Sequence, residues 1–335
     1  MYEYTTISFP GLGLEFNPAR MLELGPLKIH FYGVIIALGL VLAVLYGWKR
    51  AKPLGFDQDK MTDGVLWIVP LAVFCARLYY CVFKWEEYAD NPISILYIWN
   101  GGLAIYGGVL GAIVGVAIYC KVNKVNLPAL LDLVALGFLI GQMVGRWGNF
   151  FNREAFGGET DWFLRMGLFN AYTQKWEYHH PTFFYESLWN FIGFIVLHFA
   201  SKRKQYDGQI ALGYAAWYGF GRMLIEGLRT DSLYWGPFRV SQVLGFASFA
   251  LGAAVLIIMA FRKHDPAKLF ANRMAAAAAA ADAPAEEVSE EVVEEVAEVP
   301  AEEVVEEVAE VPAEEVVEEV AEVPAEEVVE ETTEE

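Results

Sequence analysis

The chain has 335 residues, of which 43 are acidic and 24 basic, for a formal charge of −19. Residues Ala275 to Glu335 hold 24 of the acidic side chains and no basic one, so the first 274 residues carry a small positive excess and the acidity belongs to a tail. The body has several apolar runs long enough to cross a hydrocarbon layer of about 30 Å, which excludes a soluble domain. A disulfide scaffold is excluded too, because Cys75, Cys81 and Cys120 all sit inside apolar runs, where packed reduced thiols belong. No cleavable leader is expected. The first long apolar run follows an amphipathic segment bearing Arg20 and Lys28, with no small-residue cleavage site.

Taken in chain order, the apolar runs predict seven spanning helices near 29–48, 63–83, 102–120, 128–150, 183–200, 208–227 and 241–261. Basic residues at the helix ends set the orientation. Lys49, Arg50, Lys52, Lys60, Lys121, Lys124, Lys202, Arg203, Lys204, Arg262, Lys263, Lys268 and Arg273 crowd one set of short loops. The other face has fewer, spread over longer segments, including loops at 84–100 and 151–182. The expected fold is an all-α polytopic membrane protein with its amino terminus and two long loops outside and its carboxyl terminus inside. Long loops gathered on one face of a helical bundle commonly carry function.

From residue 275 the chain becomes low in complexity. The unit Ala-Glu-Glu-Val-Val-Glu-Glu-Val-Ala-Glu-Val-Pro fills 301–312 and repeats at 313–324. Such like-charge density cannot bury a core, and Pro300, Pro312 and Pro324 interrupt any helix, so 275–335 reads as a disordered or transiently helical acidic tail, a solvated spacer in preference to a docking segment.

An ionisable side chain inside a span costs about 2.5–3.5 kcal/mol on insertion scales, so each one requires an explanation. With the predicted topology, His30 and Tyr32 open helix 1 from outside and Arg77 lies past the middle of helix 2. Asn100 and Tyr106 begin helix 3, and Arg146 and Asn149 end helix 4. His180, Tyr185 and Glu186 flank the start of helix 5, and Arg222 and Glu226 lie in the outward end of helix 6. Asp132 stands apart, near the inner end of helix 4. Isolated arginines at helix ends snorkel to headgroups. Snorkelling does not place His, Asn, Glu and Tyr at the same level, nor Arg222 and Glu226 four apart on one helix face. A shared polar cavity with at least two guanidinium groups suits an anion, since guanidinium grips phosphate through paired hydrogen bonds. The anion at that depth is a phospholipid headgroup. Gly107, Gly111 and Gly115, and Gly137, Gly141 and Gly145, form small-residue ladders that let helices 3 and 4 pack closely. Gly101, Gly102, Gly148, Gly157 and Gly158 fit those ladders less well and suit a sharp turn or backbone approach to a ligand.

The segment Gly145-Arg146-Trp147-Gly148-Asn149-Phe150-Phe151-Asn152-Arg153-Glu154-Ala155-Phe156-Gly157 closely resembles the signature of the bacterial prolipoprotein diacylglyceryl transferases. The resemblance covers about residues 15–262. It takes in His30-Phe31-Tyr32-Gly33, Gly101-Gly102-Leu103-Ala104-Ile105-Tyr106-Gly107-Gly108, His180-Pro181-Thr182-Phe183-Phe184-Tyr185-Glu186 and the run from Tyr218 to Arg229. It implies a plasma-membrane enzyme that moves the diacylglyceryl group of phosphatidylglycerol onto the lipobox cysteine of a prolipoprotein, releasing glycerol phosphate, with no metal or organic cofactor. The implied partners are that lipid, that cysteine and the bilayer, and not nucleic acid. The transferase would occupy 1–274, with the tail outside it. The positions carried over are Tyr32, Arg146, Asn149, Glu154, Gly157, Arg222 and Glu226. Many members have a histidine where this chain has Tyr106, which argues against a histidine-driven mechanism here.

The chemistry requires a thiolate, a stabilised phosphate leaving group and alignment. Arg146 and Arg222 are the expected phosphate clamp. Asn149 would donate to the same headgroup, Glu226 would pair structurally with Arg222, and Glu154, beside a wet loop, is the acid/base candidate. His30 and His180 titrate near neutrality and could take the thiol proton, or could serve only as interfacial hydrogen-bonding groups. Tyr106 is a donor rather than a base. Gly102 and Gly157 are expected to let backbone approach the lipid. The alternative class is a transporter or lipid-binding protein, which would distribute polar groups through the whole membrane depth.

Overall fold

The computed structural model describes residues 3–25, 27–98 and 101–281. Asn100 and the acidic repeats lie outside the described residues. Four short strands come first: β1 (Tyr4–Phe9), β2 (Leu14–Phe16), β3 (Met21–Leu24) and β4 (Leu27–His30). Then follow α1 (Phe31–Ala51), α2 (Gln58–Phe83), α3 (Ile105–Asn123) and α4 (Leu127–Asn152). A hairpin of β5 (Met166–Asn170) and β6 (Lys175–His179) precedes α5 (Thr182–Ser201) and α6 (Gln209–Glu226). The hairpin β7 (Tyr234–Trp235) and β8 (Phe238–Arg239) leads into α7 (Val240–Ala260), and α8 (Phe270–Ala281) closes the described chain. Strands β1 to β8 and helices α1 to α7 belong to one compact unit, Met1–Ala276; of the second, Ala277–Glu335, only the first five residues, the end of α8, are described.

All seven predicted helices form, within a few residues of their expected ends. Six of them, α1 to α5 and α7, are long and apolar enough to cross a membrane by length and composition among the described residues. Helix α6 falls short because Gln209, Arg222 and Glu226 sit among its glycines and tyrosines. It packs against α4, α5 and α7. The outer faces of the other helices show Leu66, Trp67, Phe74, Ile113, Phe199 and Leu251, each more than half exposed. Apolar surface that continuous has to meet lipid or another apolar phase. The three cysteines are free thiols.

The glycine ladders do bring helices together, but each faces a different neighbour. A Cβ at Gly107 would come within 2.4 Å of the Cys75 carbonyl, so α3 lies on α2. One at Gly39 would meet the Gly141 carbonyl at 3.2 Å, so α4 lies on α1.

Two features depart from an all-helical reading. The segment 151–182 is not simply a loop, since β5 and β6 join β1 and β2 in a four-stranded antiparallel sheet ordered β2-β1-β5-β6. Ile7 pairs with Leu168 and Met166 with His179. Ile7, Met166 and Leu168 pack with Phe150 of α4 and Phe183 of α5, which seats the sheet on one end of the bundle. Arg153 ties it there: its guanidinium donates to the carbonyls of Phe151 (2.9 Å), Thr5 (2.7 Å) and Pro18 (2.7 Å). Burial, with Arg20 nearby, lowers its pKa to about 10. The second departure is α8, which continues through Ala281 where the tail was expected to begin at 275. The run Ala275–Ala281 has the highest helix propensity available and no charge to oppose it.

At the end of the bundle away from that sheet, Asp132 is buried and caps α6 from outside. Its carboxylate accepts the backbone N–H groups of Gly208 (3.0 Å), Ile210 (2.8 Å) and Ala211 (3.0 Å) and the Lys204 ammonium (2.9 Å). Three donors that a helix start leaves unsatisfied are thereby paired.

Candidate active site

Three helices bring charge together at the end of the bundle that carries the sheet. Arg146 lies in the last turns of α4, Glu186 in the second turn of α5, and Arg222 and Glu226 in the last turns of α6. Cations near helix C-termini and a carboxylate near an N-terminus are the placements that backbone dipoles favour.

Glu186 is the centre. It is buried, with Arg222 Nη1 at 2.5 Å from one carboxylate oxygen and Arg146 Nε against the other. Arg222 Nη2 turns to Glu226 at 2.5 Å, and Arg229 Nε stands 3.9 Å from the same Glu226 oxygen. Arg229 then grips Asp231 through two hydrogen bonds of 2.9 and 2.7 Å. Burial opposes both charges of that last pair, but their mutual bonds prevail, holding the Asp231 carboxyl below its usual range and Arg229 above its own. The Glu226 backbone carbonyl accepts from Arg239 Nη1. Three guanidinium groups thus alternate with three carboxylates. Arg146 uses only Nε on Glu186, so among the described residues its two terminal nitrogens hold no partner. A paired fork of donors is left for an anion.

The other predicted residues distribute around this chain. Glu154 lies just past α4, where Asn149 Nδ2 (3.1 Å) and Asn152 Nδ2 (3.2 Å) both donate to its Oε1. Asn149 therefore engages a carboxylate here. Tyr32 lays its ring on α4 at Gly148, where a Cβ would come within 2.7 Å of it. Gly157 is buried against His180 and Leu228. A Cβ there would meet His180 Cβ at 2.7 Å and the Leu228 carbonyl at 2.9 Å, so the glycine lets three loops close on one another. Its N–H donates to the His180 carbonyl (2.9 Å), and it bridges to Arg229, the outer member of the charge chain. His180 Nδ1 lies 3.2 Å from the Tyr185 hydroxyl. Burial and the neighbouring His179 hold the His180 imidazole pKa below its ordinary value. His30 is exposed at the start of α1.

Tyr106 and Gly102 are occupied elsewhere. The Tyr106 ring is 58% exposed, with the Tyr79 ring 6.5 Å away. Gly101 and Gly102 have φ of 88° and 74°, a region few other residues enter. Their carbonyls accept from Arg77 Nη1 at 2.7 and 2.9 Å, and a Cβ on Gly102 would collide with that nitrogen at 2.3 Å. Arg77 also donates to the carbonyls of Ile95 (2.8 Å) and Ser94 (2.9 Å), so it is consumed in holding Ser94, Ile95, Gly101 and Gly102. The expected six-helix cavity is therefore narrower: α4, α5 and α6 supply the charge chain, and the polar groups of α2 and α3 organise a loop.

Sequence reasoning gave no role to Glu186 or Arg229. The signal for Glu186 was present, since a carboxylate one turn inside a predicted span demands a cation and two were already placed at its depth.

The fold and site define a polytopic helical membrane protein with a chain of buried ion pairs, ending in a guanidinium fork, at one end of the bundle. Residues 19–258 match the family model of prolipoprotein diacylglyceryl transferase, and the chain belongs to that family. It is 40% identical over 262 residues to the phosphatidylglycerol--prolipoprotein diacylglyceryl transferase of Listeria monocytogenes serotype 4a (strain HCC23), covering 76% of this chain and 95% of the relative. Identity to the enzyme of the same name from Limosilactobacillus reuteri (strain DSM 20016) is 41% over 273 residues, 78% and 97% of the two chains. For that of Lysinibacillus sphaericus (strain C3-41) it is 37% over 272 residues, 78% and 98%.

Proposed function

We infer that the Arg146–Glu186–Arg222–Glu226 chain is the donor-lipid site of a transferase that moves the diacylglyceryl group of phosphatidylglycerol onto prolipoproteins. The acceptor is the sulfur of the lipobox cysteine. Sulfur attacks the glyceryl carbon that bears the phosphate oxygen; a C–S bond forms, the C–O bond breaks, and glycerol phosphate leaves with the bonding electrons. The thiol proton passes to a base, and Glu154, with one oxygen held by two carboxamides, is the group we assign. A free thiol has a pKa near 8.5, so the cationic field also favours its thiolate.

The single observation that carries this reading is the free fork of Arg146 beside Arg222, both steadied by Glu186. Negative charge accumulates on the departing phosphate, and preorganised donors aimed at it stabilise that charge without reorganising. Glu226 and Arg229 keep Arg222 in place. Tyr32, Gly157 and His180 line the approach to the headgroup; Gly102, His30 and Tyr106 act through loop and interface geometry.

In the membrane all seven long helices cross, with α6 shielded from lipid by its neighbours. The amino terminus and the charge chain face the outer side of the bacterial plasma membrane, and the acidic tail lies in the cytoplasm. The asymmetry of Lys and Arg between the two sets of loops supports that orientation. A transport route would need polar groups through the depth of the bundle, whereas the Asp132–Lys204 cluster at the other end is closed on itself.

Thioether formation on a lipobox peptide from labelled phosphatidylglycerol tests the reading. Arg146→Ala and Arg222→Ala should insert and fold yet lose turnover; retained turnover in both removes the phosphate-clamp role.

A further inference from the structure

A cleft of about 390 Å³ has Glu154 and the terminal Asp231 of the charge chain in its lining, and no occupant has been assigned to it above. Tyr4 and Phe156 border it with their rings, and Asn152, Glu154, Thr230 and Asp231 bring polar groups to it. Its volume falls within the range of pockets that hold specific ligands, about 300–1,000 Å³. We propose that this cleft holds the acceptor polypeptide next to its reacting cysteine, an assignment that rests on the transferase reading above.

Three observations select that occupant. First, the cleft joins the donor site through the protein. Asp231 in its lining is the end of the Arg229–Glu226–Arg222 series, and Glu154, also in its lining, takes carboxamides from Asn149 and Asn152 through one oxygen only. A chain lying here would have its cysteine between the assigned base and the phosphate clamp. Second, the lining is wrong for the lipid's acyl chains and right for peptide backbone. Carboxylates accept, the Asn152 carboxamide accepts and has a second N–H besides the one given to Glu154, and the Thr230 hydroxyl, which donates to the Phe156 carbonyl (3.3 Å), accepts. An extended polypeptide brings one N–H and one C=O per residue, each of which needs a partner when removed from water. Third, the charge is biased. Glu3, Glu154 and Asp231 meet Arg20 and Arg153; Arg153 is spent on the carbonyls of Phe151, Thr5 and Pro18 and Asp231 on Arg229, while Glu154 is held through one oxygen only. Acceptors therefore prevail at the accessible surface, which suits the N–H groups and hydroxyls of a polypeptide and opposes a second phosphate.

Two substitutions test this in the full chain, reconstituted in phosphatidylglycerol vesicles and assayed with a synthetic lipobox peptide. Thr230→Trp narrows the cleft from the α6 side. Glu3→Trp does so from the exposed amino-terminal side, should the first variant not fold. The KM for the peptide should rise by about tenfold, the cost of roughly 1.4 kcal/mol of binding, with the KM for phosphatidylglycerol unchanged. A benzophenone side chain placed next to the peptide's cysteine should crosslink to Tyr4, Phe156 or the Asn152 segment. An unchanged peptide KM with crosslinks elsewhere overturns the proposal, as does a rise confined to the lipid KM. Turnover retained in Arg146→Ala would instead overturn the donor-site reading, so the two failures are separable.

Discussion

Glu186 receives Arg222 on one carboxylate oxygen and Arg146 on the other, so two cations from separate helices share one buried anion. Taking away one partner of a buried ion pair leaves an uncompensated charge and costs about 3–5 kcal/mol. Glu186→Gln keeps the shape and removes the charge, which frees the two guanidinium groups to repel. Turnover should fall by about 10²-fold, the scale of losing one preorganised donor, and the thermal unfolding midpoint in detergent should fall as well. Glu186→Asp should recover part of both. Wild-type turnover and stability in Glu186→Gln would mean that Glu186 does not set the positions of the two arginines.

Much of this arrangement is legible in the sequence, and the parts that are not share a physical cause. Arg146, Arg222 and Glu226 stand out because charge within an apolar run must be paired, and Arg222 and Glu226 are four apart on one helix. Glu186 is flagged by its depth, but the cations it takes are not: Arg146 and Arg222 lie 40 and 36 residues away on other helices, and local periodicity says nothing of such pairings. The sheet is hidden for the same reason: β1 pairs with β5 across more than 150 residues. Gly102 is a different case: its positive φ fits the expected turn, and the group packed on it is Arg77, 25 residues earlier, a contact that local pattern does not show.

The Asp132–Lys204 pair should govern stability rather than turnover. Burial alone would lower the Lys204 pKa, yet the carboxylates of Asp207 and Asp132 raise it above the ordinary 10.5. A raised pKa gives stabilisation that is complete below 10.5 and is lost as pH climbs through the higher folded value. The unfolding midpoint of the wild type should therefore drop more steeply above pH 10.5 than that of Lys204→Met. Asp132→Ala, which strands Lys204 and three backbone donors, should cost about 3–5 kcal/mol. The folded fraction of either variant should keep its kcat; a selective loss of kcat would place this cluster in the reaction.

Tyr106 separates two accounts of proton transfer. Its ring stands beside Tyr79 and well exposed, outside the series of ion pairs that joins Arg146 to Asp231. Tyr106→Phe removes only a hydroxyl, and the net value of one such hydrogen bond is about 0.5–1.5 kcal/mol, so turnover should stay within about tenfold of wild type. Glu154→Gln, by contrast, should lower kcat by about 10²-fold or more, the scale of losing a positioned acid–base group. A large loss in Tyr106→Phe with little in Glu154→Gln would transfer the proton-handling role from α4's exit to the mouth of α3.

His180 should respond to acid. Burial, reinforced by His179, disfavours its charged form, so its folded pKa lies below the 6.5 of an exposed imidazole. A depressed pKa gives stabilisation that is complete above 6.5 and is lost as pH falls through the folded value, because the unfolded chain binds the proton first. His180 also shares its loop contact with Gly157, whose N–H it accepts through its backbone carbonyl at 2.9 Å. Protonation would thus place a charge beside the turn that closes on Arg229. The His180 ring-carbon resonance, followed by NMR in labelled protein, should titrate with a midpoint below 6.5. His180→Gln should lessen the loss of stability between pH 6.5 and 5 while leaving the fold at neutral pH unchanged. A midpoint above 6.5 would mean that a carboxylate reaches this ring in the membrane-bound enzyme, and Glu154, Glu177 and Glu159 would be the first to substitute in search of it.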